Sequence, residues 1–201
     1  LERFHQEVQA AAQLDHPNIV AVYEVGDVGG EPFYTMRYVK GKSLSALLRD
    51  GPVPNRQAAD YAVQVAQAIS EAHRHGILHR DLKPQNILID SRKDRPLVTD
   101  FGLAKRVEAD SDLTRSGQIL GTPSYMPPEQ ASGKIDAISE ASDVYALGAI
   151  LYCLLTGRPP FQADNQIDTL MQVLDQAPVS PRVLNPKIPK DLETVCLKCL
   201  E

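Results

Sequence analysis

His79-Arg80-Asp81-Leu82-Lys83-Pro84-Gln85-Asn86, followed after a short apolar run and a charged turn by Thr99-Asp100-Phe101-Gly102, is the stretch on which the reading of this sequence turns. It brings two carboxylates, an amide and an ammonium towards one spot. A polyanion held by a divalent metal needs such a set: oxygen ligands for the cation, a carboxylate to accept a hydroxyl proton, and a positive charge beside the phosphate. Asn86 and Asp100 suit the metal, Asp81 the proton and Lys83 the phosphate. Ile87-Leu88-Ile89 ends at Asp90, and Pro96-Leu97-Val98-Thr99 restarts the pattern, so a hairpin can return Asp100 to the side of Asn86.

Working outward, Asn55 to His75 alternates helix formers with apolar residues at Ala59, Ala62, Val63, Ala66 and Ile69, which predicts a long buried helix ended by Gly76. Upstream, Ile19 to Val25 and Phe33 to Val39 flank Gly26-Asp27-Val28-Gly29-Gly30 and predict a hairpin. Ser43 is placed to cap a short helix, Leu44 to Arg49. Residues 1–13 carry Leu1, Phe4, Val8, Ala11 and Ala12 at helical spacing, and Asp15-His16-Pro17-Asn18 stops that helix. Downstream, Ser139 to Thr156 is apolar nearly all round, the profile of a helix at the centre of its unit, and Ile167 to Leu174 and Leu192 to Leu200 are shorter helices.

The 201 residues carry 43% hydrophobic and 23% charged side chains, an ordinary globular balance. A net charge of −5 without a Lys/Arg run argues against nucleic acid as the main partner and leaves a local basic site open. The longest apolar segment, Val144 to Leu155, is shorter than a membrane span and is interrupted by Gly148. Three cysteines without an obvious pairing suggest a reducing compartment, so a cytoplasmic location is expected, with membrane anchoring of the parent through a segment outside these residues left open. Cys196 and Cys199 form a C-x-x-C, but zinc needs a second ligand pair, and helix packing is the better reading. His73 and His75 point apart on a helix, which argues against a shared metal.

The loop at 79–86 and the Asp100-Phe101-Gly102 motif resemble the catalytic loop and metal-binding motif of the protein kinases. Lys83, two residues after Asp81, resembles the serine/threonine branch. The resemblance runs across essentially the whole chain and is nearest to the bacterial eukaryotic-like kinases. It implies an α+β, two-lobe fold: residues 1–39 as the end of the small lobe with its helix, two strands and hinge, and residues 40–201 as a mostly helical large lobe. The implied reaction moves the γ-phosphoryl of ATP to a Ser or Thr hydroxyl, with Mg²⁺, or Mn²⁺ in its place, held by Asn86 and Asp100.

Further roles are carried by the same resemblance. Asp81 orients and accepts from the hydroxyl, Lys83 stabilises the transferring phosphoryl, and Thr122 bonds both. Glu7 matches the acidic residue that pairs with a lysine on the preceding strand. Met36 falls at the back of the adenine pocket, the backbone of Arg37 and Val39 meets the base, and Leu88 forms the floor beneath it. Asp143 resembles the carboxylate that accepts backbone N–H groups from the catalytic loop. Gly121-Thr122-Pro123-Ser124-Tyr125-Met126-Pro127-Pro128-Glu129 closes an activation segment spanning 100–129, in which Pro127 replaces the usual alanine and should tighten the turn. Ser116 and then Thr114 are the candidate phosphorylation sites, with Arg80 as a cationic partner.

The chain opens without Met and ends in a helical pattern at Glu201, so a fragment is expected, lacking the glycine-rich loop, the lysine strand and the C-terminal end. The arginine that would pair with Glu129 is expected to lie beyond Glu201, leaving a buried carboxylate without its partner, and weak or no activity is expected of these residues alone. Protein substrates are the implied partners, together with a second copy of the chain for trans-autophosphorylation. Two rivals share the fold: a pseudokinase that binds without catalysis, and a small-molecule kinase of the aminoglycoside phosphotransferase type, disfavoured by the Gly121 to Glu129 segment.

Overall fold

The computed structural model describes residues 12–29, 31–101 and 122–201, and every statement below concerns those residues. Two strands, β1 (Val22–Val28) and β2 (Glu31–Met36), pair antiparallel, and Gly29 lies in the turn that leaves β1. Gly29 takes φ +65° in that turn, a conformation open to glycine at little cost. The turn is shorter than the Gly26 to Gly30 expectation, because Gly26, Asp27 and Val28 continue the ladder opposite Phe33, Pro32 and Glu31. The strands are correspondingly displaced: Ile19 forms only an isolated bridge to Val98, and β2 ends at Met36 rather than Val39.

A second sheet has the order β3 (Gly41–Ser43), β4 (Ile87–Asp90), β5 (Arg95–Val98), all antiparallel. Its close approach requires a glycine at position 41, where a Cβ would stand 1.8 Å from the Ile89 carbonyl oxygen. Ser43 caps helix α1 (Leu44–Leu48), its hydroxyl accepting the Ala46 N–H at 3.2 Å. The Asn18 amide ties the chain entering β1 to this sheet. Buried among its neighbours, it donates to the Pro96 carbonyl at 2.8 Å and to Gln64 at 3.0 Å.

Helix α2 (Asn55–Arg74) ends as expected at Gly76. The Gly76 N–H reaches the His73 carbonyl and the Ile77 N–H reaches the Ala72 carbonyl, the paired closure of a helix whose next residue is left-handed. Its buried face differs from the expected one. Ala58, Tyr61, Val65, Ala68, Ile69 and Ala72 face the core, while Val63 is 56% exposed. Alanines on both sides give the helix no direction, so the bulky Tyr61, Val65 and Ile69 choose the face. Tyr61 can be buried because its hydroxyl donates to Asp94 at 2.5 Å.

Helices α3 (Pro128–Ala131), α4 (Glu140–Thr156), α5 (Gln166–Asp175), α6 (Pro181–Leu184) and α7 (Lys190–Cys199) follow. Pro127 and Pro128 start α3, with Pro128 in the first turn where its missing N–H costs nothing. Helix α4 is the centre of the molecule, packed on α2 and α7, with Tyr145 to Leu155 buried apart from the half-buried Leu147. It starts in a reciprocal Ser139–Ser142 cap and stops at Gly157, φ +80°.

Two features of the C-terminal half bear on the sequence reading. A Cβ at Gly148 would meet the Cys199 Cβ at 2.6 Å, and the Cys196 thiol lies 3.6 Å from the Gly148 carbonyl. The two cysteines therefore serve the α4–α7 contact, and all three cysteines are free thiols. Glu129 is half-buried, and its carboxylate accepts the Ser142 hydroxyl, so it is not the unpartnered buried charge expected from the sequence. Among the described residues no helix is long and apolar enough to cross a membrane.

Gly41→Ala should be among the most damaging single substitutions in the sheet, because its Cβ meets backbone that cannot rotate away. A loss on the order of 2–3 kcal/mol is expected. Thermal denaturation should show a midpoint lowered by about 4–10 °C. An unchanged midpoint would mean that β3 separates from β4 freely.

Candidate active site

The site is built where helix α4 meets the loop that follows α2. Asp143, in the first turn of α4, is 1% exposed, and a carboxylate that deep must be satisfied. Its Oδ2 accepts the His79 backbone N–H at 2.8 Å and faces the His73 Nε2 at 2.7 Å, and its Oδ1 accepts the Arg80 N–H at 2.9 Å. Arg80 sits at φ +63°, a conformation costing a non-glycine residue about 1–3 kcal/mol. Hydrogen bonds to a charged acceptor each contribute about 1.5–3 kcal/mol, enough to hold that turn.

His79 is fully buried. Its Nε2 donates to the Thr99 carbonyl at 3.1 Å, its Nδ1 lies 3.4 Å from the Asp81 N–H, and its ring packs 4.8 Å from that of Phe101. Both nitrogens are thus used by the neutral ring, and burial lowers the imidazole pKa further against the pull of Asp143 and Asp81. The histidine ties the loop to the strand end that carries Asp100.

Past this anchor the polar side chains converge. Lys83 Nζ lies 2.6 Å from Asp81 Oδ2. The Asn86 amide donates to the Asp81 carbonyl at 2.9 Å and to Asp81 Oδ2 at 3.2 Å, which turns its own Oδ1 away from Asp81. The hairpin register, Ile87 opposite Val98, makes Thr99 N–H donate to the Asn86 carbonyl at 3.0 Å and so delivers Asp100 beside Asn86. Asp100 adopts φ +60°. Its carboxylate accepts the Tyr34 hydroxyl, and the Thr99 hydroxyl lies 3.4 Å from Oδ1. Burial and the Asp100 charge push the Tyr34 phenol well above its ordinary pKa, so it stays a donor.

The other sequence-named residues fall around this centre. Thr122 shares the wall of a small cavity with Arg80, Asp81 and Lys83. Thr122 also borders a groove of about 380 Å³ lined by Gln85, Tyr125, Gln162, Asp164 and Asn165 among others. Leu88 is half-buried and turned opposite to Ile87 and Ile89, which fill the core. Met36 is 39% exposed, with its sulfur 3.4 Å from the Thr99 hydroxyl. The Arg37 N–H is spent on the Ala21 carbonyl at 2.8 Å. Glu7, Thr114 and Ser116 lie outside the described residues.

Two residues of the site were not singled out by the sequence reading. His73, considered there only against a metal, belongs to the Asp143 anchor. Tyr34 was part of a strand and nothing more, and only its place two residues before Met36, on the same strand face, could have pointed to it.

The arrangement sets Lys83 and Asn86 on the Asp81 carboxylate, with Asp100 one residue past the Thr99 N–H that bonds the Asn86 carbonyl, so that hard oxygen donors stand on neighbouring segments. A family model described as the protein kinase domain matches residues 1–201, and the chain belongs to that family. It is 40% identical over 203 residues to the serine/threonine-protein kinase PknB of Mycobacterium leprae, covering 98% of this chain and 32% of that protein. With PrkC of Bacillus subtilis it shares 38% identity over 199 residues, or 98% of this chain and 30% of the relative. The chain thus spans about a third of the length of these relatives. The crystal structure of the Mycobacterium tuberculosis PknI kinase domain matches with a TM-score of 0.76 and 27% identity, over 100% of this chain and 69% of that one. The protein-kinase fold expected from the sequence is the fold observed.

Asp143→Asn cannot accept three donors, and unfolding free energy should fall by on the order of 3 kcal/mol in urea titration. Below about pH 6.5 the unfolded chain binds a proton at the His79 position that the folded chain refuses. Stability should therefore fall as pH drops through that window and level off above it. His79→Gln should flatten that part of the profile, and parallel profiles would contradict the buried neutral ring.

Proposed function

We propose that this chain is the catalytic part of a serine/threonine protein kinase, transferring the γ-phosphoryl group of ATP to a Ser or Thr hydroxyl of a protein. The observation that supports this reading is the gathering of Lys83 and Asn86 on the Asp81 carboxylate, with Asp100 next to the Thr99 that bonds the Asn86 carbonyl. The donor set fits a divalent metal: the Asn86 oxygen is turned away from Asp81, and a carboxylate stands at the next strand end. When bound, Mg²⁺ would offset charge on the phosphate oxygens.

The remaining chemistry belongs to the chain. Asp81 orients the acceptor hydroxyl and takes its proton. Lys83, held against Asp81, meets the phosphoryl as its charge redistributes. Thr122 lies beside both, where it can support the acceptor. The base of the nucleotide stands between Leu88 and the strand carrying Met36. Because the Arg37 N–H is already bonded to Ala21, Arg37 contributes its carbonyl and Val39 its N–H. The groove beside Thr122 takes an extended protein segment. The lobes divide near residues 39 and 40, Glu7 supports the phosphate-binding side, and Ser116 and Thr114 are phosphorylated by a second copy of the chain. The free thiols suit a cytoplasmic location for this part of the protein.

Labelled ATP with Mg²⁺, given to the full-length protein and to its Asp81→Asn variant, tests the reading. Phosphate should be incorporated into protein Ser or Thr, by mass spectrometry at Ser116 or Thr114 among other sites. The substitution should reduce the rate by about 10²–10⁴-fold. Nucleotide binding with no incorporation into any protein substrate would instead make this a pseudokinase. Transfer to small molecules alone would place it with the small-molecule kinases.

A further inference from the structure

Tyr34 and Met36 alternate on β2 and so share one strand face. That face meets the end of β5: Met36 sulfur lies 3.4 Å from the Thr99 hydroxyl, and the Tyr34 hydroxyl donates to Asp100 Oδ1. Asp100 lies beyond the last ladder pair, Ile87 with Val98, at φ +60°, so no sheet hydrogen bond fixes its side chain. Among the described residues the other donor to the carboxylate is weak, because the Thr99 hydroxyl stands 3.4 Å from Oδ1 and is shared with the Met36 sulfur. Tyr34 is therefore, among the described residues, the group best placed to set how the carboxylate is turned.

We infer that Tyr34 is a positioning residue for the Asp100 carboxylate, occupying Oδ1 so that Oδ2 is presented to the divalent cation. This rests on the reading of Asp100 as a metal holder. An ionised carboxylate has acceptor capacity for a phenol and a cation together. Groups that hydrogen-bond a ligating carboxylate from behind commonly contribute 10–100-fold in metal affinity. The phenol also makes the β1–β2 hairpin a partner of the metal site. The register fixes Tyr34 opposite Val25, so a shift of that hairpin moves the hydroxyl and with it the carboxylate.

The test uses the full-length protein, with ADP as the probe and MgCl₂ varied in titration calorimetry. Wild type should bind ADP more tightly as Mg²⁺ rises. Tyr34→Phe, which keeps the ring, should need about tenfold more Mg²⁺ for the same gain, while its affinity for ADP in excess chelator stays that of wild type. Free Mn²⁺ counted by electron paramagnetic resonance with ADP present should show the same shift. Added to Asp100→Asn, Tyr34→Phe should change nothing further.

Three outcomes overturn the inference: an unchanged Mg²⁺ dependence in Tyr34→Phe, a dependence shifted to lower Mg²⁺, as for a phenol that competes with the metal, or an equal loss in the Asp100→Asn background. A readout without any variant guards against misfolding. The ring-carbon resonance bonded to the Tyr34 oxygen, in protein labelled at tyrosine, should keep its hydrogen-bonded position when Mg²⁺ and ADP are added, and its move to a solvent-like position would also overturn the inference. If wild type itself shows no Mg²⁺ dependence, the metal-holding reading of Asp100 falls, and this inference with it.

Discussion

The carboxylate of Asp143 is the constraint from which the rest of the site follows. It is buried on the first turn of the central helix, where an unpaired charge would be prohibitively costly, and three donors from two other segments converge on it. Two of those donors are consecutive backbone N–H groups of the loop. A loop bonded at two adjacent amides has little freedom left, and the left-handed turn at Arg80 is what that restraint requires. Asp81 then leaves the anchor in a fixed direction, with Lys83 and Asn86 closing around it.

The second half of the site depends on strand register. Asn86 precedes β4 and Asp100 follows β5, so they meet only because Ile87 pairs with Val98. A slip of one residue would turn Ile87 and Ile89 out of the core and Leu88 into it. The burial of both isoleucines therefore fixes the pairing that sets the Asn86 and Asp100 segments next to each other. His79 joins the halves, since its ring reaches the Thr99 carbonyl while its backbone is held by Asp143.

Much of this was legible in the sequence because the decisive signals are local. The hairpin after the 79–86 loop, the Ser43 cap, the glycine stop of α2 and the all-round apolar character of α4 each lie within a few residues. What was not legible depends on contacts between distant segments. The buried face of α2 was misjudged because its alanines are ambiguous, and Tyr61 could be counted as core only once Asp94 was known to meet its hydroxyl. His73 reaches Asp143 across 70 positions of sequence, and Tyr34 reaches Asp100 across 66, with no periodicity to announce either. The Glu129 carboxylate accepts the Ser142 hydroxyl, and a neutral partner of that kind leaves no charge pattern in the sequence.

Amide hydrogen exchange at His79 and Arg80, followed by NMR in the native full-length protein, tests the central claim most directly. If Asp143 holds both N–H groups, these two loop amides should be protected to a degree approaching that of Ile150 to Leu154 in α4, and both should lose that protection together in Asp143→Asn. Exchange at ordinary loop rates, in a protein whose α4 amides remain protected, would contradict the account, because the loop at 79–86 would then be shaped by something other than this carboxylate.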